Sequence, residues 1–99
     1  MGAHKKDQFT KQQLDSARIG VAISSPARVA IIQHINQFGT VTNKELIRKL
    51  ELSGTAVHQH LQMLIRSGII SENYFENKHY YYFPVVAKKD LQKIEWLLI

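Results

Sequence analysis

Between Ser53 and Gly68 lies the densest run of side chains whose types and spacing could do chemistry: Thr55, His58, Gln59, His60, Gln62 and Arg66. Two histidines raise metal binding first. They stand two positions apart, about 200° around a helix axis, so they cannot clamp one ion as an i, i+4 pair does. The chain has no cysteine, which excludes a disulfide framework, a thiolate metal site and a cysteine nucleophile. It has no Gly-rich phosphate loop, paired carboxylates or nucleophile motif either, so neither catalysis nor a cofactor is expected. What remains is hydrogen bonding by Thr, Gln and His, whose donors and acceptors match base edges without a fixed charge preference.

The elements that must position these groups follow from periodicity. Val57, Leu61, Leu64 and Ile65 fall at i, i+4, i+7 and i+8, one stripe of an amphipathic helix over 52–68. Thr55, Gln59, Gln62 and Arg66 project opposite that stripe, with Ala56 and Met63 beside them. Ser53 suits the N-cap and Gly68 the left-handed position after the last turn. An ordinary solvated helix face carries Glu/Lys pairs, whereas this one is polar and almost uncharged.

Upstream, Leu14, Ala17 and Val21 form the main stripe of a first helix over 8–23, with Ile19 and Ile23 off it. Gly20 weakens that helix by about 1 kcal/mol relative to alanine. Its apolar residues are spread over more than one face, as a partner surface requires. Ser25-Pro26 starts a second helix to about Phe38, burying Val29, Ile31, Ile32, Ile35 and Phe38, and Gly39 ends it. Thr42-Asn43-Lys44-Glu45 is a capping box opening a third helix, 43–50, with Leu46, Ile47 and Leu50 inward. Only a few residues separate it from the helix at 52–68, which predicts a helix-turn-helix.

Beyond Gly68 the pattern becomes β-like. Residues 69–75 and 79–83 read as a hairpin around Glu76-Asn77-Lys78, in which Tyr80, Tyr81 and Tyr82 serve mainly sheet and core packing. Residues 85–99 read as a last helix with Ala87, Leu91, Ile94 and Leu98 on one stripe and Trp96, Leu97 and Ile99 beyond it. That surplus of apolar surface predicts a dimer seam formed by 8–23 and 85–99. The expected architecture is mainly α with a small β-hairpin, α-α-α-α-β-β-α, in one domain over 8–99 behind a flexible polar 1–7. With 13 Lys+Arg against 8 Asp+Glu, the balance favours a polyanionic partner, nucleic acid before membrane. No apolar run reaches the roughly 18 residues of a membrane span and the N-terminus has no signal-peptide pattern, so a cytoplasmic location is expected.

The order of elements is that of a winged helix, and four segments make a resemblance specific: 24–32 (SSPARVAII), 52–64 (LSGTAVHQHLQML), 67–70 (SGII) and 78–82 (KHYYY). Over roughly 15–84 the chain is similar to ArsR-type winged helix-turn-helix transcriptional regulators. Pro26 and Arg28 match that family's Asp-Pro-Thr-Arg turn, while Ser25 and Ala27 depart from it. The resemblance implies a homodimeric repressor on double-stranded DNA, with the fourth helix in the major groove and the wing along the adjacent backbone or minor groove. It places Ser53 at the cap as a phosphate contact and Gly54, Thr55 and Ala56 near the bases. His58, Gln59 and His60 stand where the family has Ser-Arg-His; Gln59 in place of arginine suits N6 and N7 of adenine rather than guanine. Gln62 adds to the outward face, and Lys78 at the wing tip meets a phosphate. The family's metal sites do not carry over, since the third helix has no Cys-x-Cys and 85–99 holds no histidine. The rival expectation is a winged-helix protein-interaction module without specific DNA binding.

Overall fold

The computed structural model describes residues 8–98. Its first helix, α1 (Lys11–Ala22), starts later than its apolar pattern suggests, because Thr10 and Gln13 form a capping box there. The Gln13 amide donates to Thr10 Oγ1 at 3.0 Å and the Thr10 amide to Gln13 Oε1 at 2.9 Å. The expected stripe of α1 is turned outward: Leu14, Ala17 and Val21 are exposed, while Ile19 and Ala22 are buried. Only two apolar positions of α1 meet the core fully, so most of its apolar surface lies outside.

Helix α2 (Pro26–Phe38) begins at the Ser25 cap with proline in its first turn and ends at Gly39, whose φ of 88° favours a residue without Cβ. Ile31, Ile32 and Ile35 are fully inside. Phe38, expected to join them, is 61% exposed. It lies against the His34 ring at 4.6 Å between centroids instead, at the end of the helix. Helix α3 (Asn43–Leu50) is opened by the Thr42–Glu45 capping box and closed by Glu51 in the left-handed region. Helix α4 (Gly54–Arg66) follows within three residues, capped by Ser53. The reversal after α4 uses Gly68 at φ 80°, as its position in the sequence requires.

Among the described residues the sheet has three strands, not two. β1 (Thr40–Thr42) lies between α2 and α3 and pairs antiparallel with β3 (Lys78–Tyr82), which also pairs with β2 (Ser71–Phe75), giving the order β1-β3-β2. Val41 faces Tyr81 across the ladder and both are buried. A strand of three residues is too short to show alternation, and β1 exists because β3 offers its free edge. Ile69 and Ile70, expected in the hairpin, precede β2 and plug the core. Glu76 and Asn77 make the two-residue turn, both with positive φ (50° and 66°), the conformation that joins tightly twisted hairpin strands.

The last segment is not one continuous helix. A 3-10 turn (Val85–Ala87) leads into α5 (Lys88–Lys93) and a second 3-10 turn (Glu95–Leu97). Its expected stripe does face inward, with Ala87 and Ile94 buried and Leu91 and Leu98 packed against the core. Leu97, expected beyond the stripe, also packs there, whereas Trp96, Val85 and Val86 remain exposed. Ile99 and the expected flexible segment 1–7 lie outside the described residues.

Arg18 holds the two ends of the chain together. Its guanidinium donates to both carboxylate oxygens of Asp90 in α5, at 3.0 and 3.2 Å, and to the Ser67 carbonyl at the end of α4. The Asp90 hydrogen bonds raise the Arg18 pKa above its ordinary value against the opposing cost of burial. Among the described residues no helix is long and apolar enough to cross a membrane.

Candidate nucleic-acid interface

Helix α4 separates its faces cleanly. Val57, Leu61 and Leu64 are fully buried, so the helix cannot roll about its axis, and the opposite face is held outward. Thr55, His58, Gln59 and Arg66 are exposed there, as are Ser53 and Gly54 at its start; Ala56, His60, Gln62 and Met63 are half-buried on its flanks. The Ser53 hydroxyl accepts from the Ala56 amide at 3.1 Å, which fixes the first turn and leaves the neighbouring free amides pointing out of the helix end. The turn before it is tight. A side chain at Gly54 would come within 3.5 Å of Ile47 of α3, ordinary contact distance.

Of the candidate residues, His60 has the most defined surroundings. Its Nδ1 lies 3.1 Å from Nη1 of Arg28, in the first turn of α2. Burial first, and the Arg28 charge second, lower its pKa, so the ring is neutral at pH 7. Arg28 was recognisable only as part of the Ser25-Pro26-Ala27-Arg28 turn, and nothing in its spacing announces a contact with α4. His58 stands on the other flank and is exposed.

The wing is ordered by side chains across its ladder. His79 stacks on Tyr74, with centroids 4.2 Å apart, and its Nε2 is 2.6 Å from Glu72 Oε1. Tyr81 is buried, and Tyr80 and Tyr82 are half-buried, in line with sheet and core roles. Burial, followed by Glu72 and then Tyr74, raises the Tyr81 pKa above that of an ordinary phenol. Lys78 is exposed where β3 begins and shares an open concavity with Thr42, Lys44 and Glu45 at the start of α3. Lys44, Arg48 and Lys49 are all exposed on α3, the helix packed next to the nearly uncharged α4, and Lys44 shares the concavity at the wing. Among the described residues no group of three His, Cys, Asp or Glu side chains is placed to hold a metal ion.

Comparison with known proteins agrees with this geometry. Residues 25–71 match the family model described as winged helix-turn-helix DNA-binding. No curated protein matches the chain by sequence. Among solved structures, HlyU from Vibrio cholerae superposes with a TM-score of 0.73 at 22% identity, over 90% of this chain and 97% of its own. The transcriptional repressor PagR of Bacillus anthracis gives 0.69 at 19% identity, over 85% and 95%. A homodimeric winged helix-turn-helix DNA-binding domain from Mycobacterium bovis, described as a possible ArsR-family regulator, gives 0.70 at 19% identity, over 91% and 83%. The chain has the winged helix-turn-helix fold shared by HlyU and an ArsR-family regulator.

Proposed function

We propose that the protein is a sequence-specific, double-stranded DNA-binding transcriptional regulator acting as a homodimer, and that it represses. The observation that carries this reading is the outward face of α4: rotationally fixed by a buried stripe, exposed at Thr55, His58 and Gln59, and free of acidic side chains. A helix so presented fits the major groove, where amide and hydroxyl side chains read base edges. In this reading Ser53 and the free amides beside it meet a phosphate, Gly54, Thr55 and Ala56 lie near the bases, and Gln59 pairs with adenine. His58 and Gln62 extend the contact surface. Lys78 sets the wing on the neighbouring backbone or minor groove, and Arg48 and Lys49 supply further phosphate attraction.

The dimer rests on residues 8–23 and 85–99. Phe9, Leu14 and Val21 of the first segment and Trp96 of the last are between 42% and 65% exposed, and Arg18 and Asp90 keep α1 and α5 together. A two-fold pair would place its reading helices about one DNA turn apart on a near-palindromic site. The repressor PagR and the homodimeric Mycobacterium bovis domain support this reading by analogy of fold. Such a regulator works in the cytoplasm.

Selection of bound duplexes from a random pool, followed by salt-dependent polarisation titration of the winners, tests the proposal. Expected are half-sites about one helical turn apart and a steep fall of affinity with salt from counterion release. A flat salt response with no binding near the micromolar range overturns it. That result would favour a protein-interaction module instead, a reading to which the wing tip lends some support. Tyr74 and Phe75 are 68% and 65% exposed there, beside Glu76 and with Lys78 the wing's one lysine.

A further inference from the structure

Arg28 carries a charge that no described carboxylate neutralises. The residue is 9% exposed, and four of its five N–H groups are spent inside the molecule. Nε donates to the Ala22 carbonyl at 3.2 Å, and Nη2 to the Val21 carbonyl and Ser24 Oγ, each at 3.0 Å. One Nη1 hydrogen goes to His60 Nδ1. All four acceptors are neutral, and among the described residues no carboxylate lies within 4.0 Å of the guanidinium. A buried cation without a counterion is costly, and a bound anion removes that cost. The fifth N–H, on Nη1, has no partner among the described residues, and Arg28 lines an open groove with Gln59, His60, Met63 and Arg66 that no acidic residue lines.

His60 adds a directed donor to this groove. An arginine N–H can only donate, so His60 Nδ1 accepts, and the neutral ring must carry its proton on Nε2. Among the described residues that nitrogen has no partner, and it is not one of the buried unpartnered atoms, so the proton is offered to solvent. The groove thus presents two guanidinium groups and an imidazole donor, with no acceptor of comparable charge. Such a set suits an acceptor-only anion rather than a base edge, which mixes donors with acceptors. Its place on α4 agrees. His60 lies about 100° around the helix from Gln59, so when Gln59 faces the groove floor, His60 faces the wall where the sugar-phosphate backbone runs. Arg66, about 20° from Gln59 but nearly two turns further on, lines the groove from the last turn of α4.

We propose that Arg28, His60 and Arg66 form a phosphate seat beside the reading helix, occupied by a backbone phosphate of the duplex that α4 enters. This rests on the DNA-binding reading above, and it gives His60 a backbone contact rather than a base contact. Arg28 also fastens the last carbonyls of α1, so its removal would mix folding with binding; Arg66 and His60 carry the test. The full chain is titrated with a fluorescein-labelled duplex of about 30 base pairs, roughly three helical turns, in mixed and in selected sequence, over a range of KCl. Arg66→Gln should lower the slope of log K against log salt by about 0.9 per protomer on both duplexes. His60→Ala should leave the slope unchanged and weaken binding roughly tenfold on both, the worth of one hydrogen bond to a charged oxygen. The seat is overturned if both variants bind the mixed duplex as the unaltered protein does. It is overturned equally if His60→Ala loses affinity at one base pair only, which places the ring on a base. Failure of the unaltered protein to bind either duplex removes the DNA reading itself, and the seat with it.

Discussion

Helices α1 and α4 have nearly the same length and opposite surfaces. Both α1 (12 residues) and α4 (13 residues) are opened by a side-chain cap, but α4 buries Val57, Leu61 and Leu64 of its apolar stripe, with Ile65 half-buried against the core, and exposes polar groups. In α1 only Ile19 and Ala22 are buried, and Leu14 and Val21 are left outside at 42% and 48% exposure. The difference teaches what each surface can meet. A polar face with few charges gains most from a partner that returns its hydrogen bonds, and an apolar face gains most from another apolar face. Arg18 ties the two together, bonding from α1 to the carbonyl that ends α4 and to Asp90 of α5.

The comparison breaks most visibly if α1 is made polar. Leu14→Glu with Val21→Glu puts two unpaired carboxylates into the proposed seam and should weaken the dimer by about a hundredfold or more. Both positions are exposed in the single subunit, so the fold should persist. Light scattering with circular dichroism checks this; a variant as dimeric as the unaltered chain would move the seam elsewhere.

On the other side of the comparison, Gln59→Ala should cost about 1–3 kcal/mol of discrimination at one base pair per half-site. Competition between selected and single-base-changed duplexes measures it, and equal losses on specific and random DNA would deny Gln59 a reading role. A smaller change is expected from Lys78→Gln, which removes one phosphate contact and should reduce the salt slope by about 0.9 per protomer. No change in slope would make Lys78 a solvated turn residue.

The smallest effect is on stability against pH. His34 and His60 are both held below the ordinary histidine value of 6.5, in each case chiefly by burial, with Lys49 acting further on His34 and Arg28 on His60. Below that value the unfolded chain binds protons that the folded chain refuses. The stability they contribute is therefore complete above about pH 6.5 and is lost as pH falls toward the lowered folded values. Urea midpoints should decline between about pH 7 and pH 5, and less so in His60→Ala. A midpoint that rises on acidification would contradict the burial of both rings.

Much of the fold was legible because its signals are local. The Thr42–Glu45 box, the Ser25-Pro26 start and the Asn77 turn each act through hydrogen bonds or backbone preferences within a few residues, and each stands where the sequence puts it. The Thr10–Gln13 box carries the same kind of signal and moves the start of α1 three residues past Gln8. The site was legible in part. The outward positions of Thr55 and Gln59 follow from the buried stripe, but the surroundings of His60 depend on Arg28, 32 positions away, which no period reveals.

For α4 itself, the sequence determined the ends, the buried stripe and the polar face, because capping and a 3.6-residue period are properties of one short segment. Tertiary structure alone decided which stripe of α1 goes inward, that residues 40–42 add a third strand to the wing, and that a guanidinium from α2 sets the tautomer of His60. Each of these depends on what a distant part of the chain offers: a core with room for Ile19, a free strand edge on β3, and an unneutralised arginine beside the reading helix.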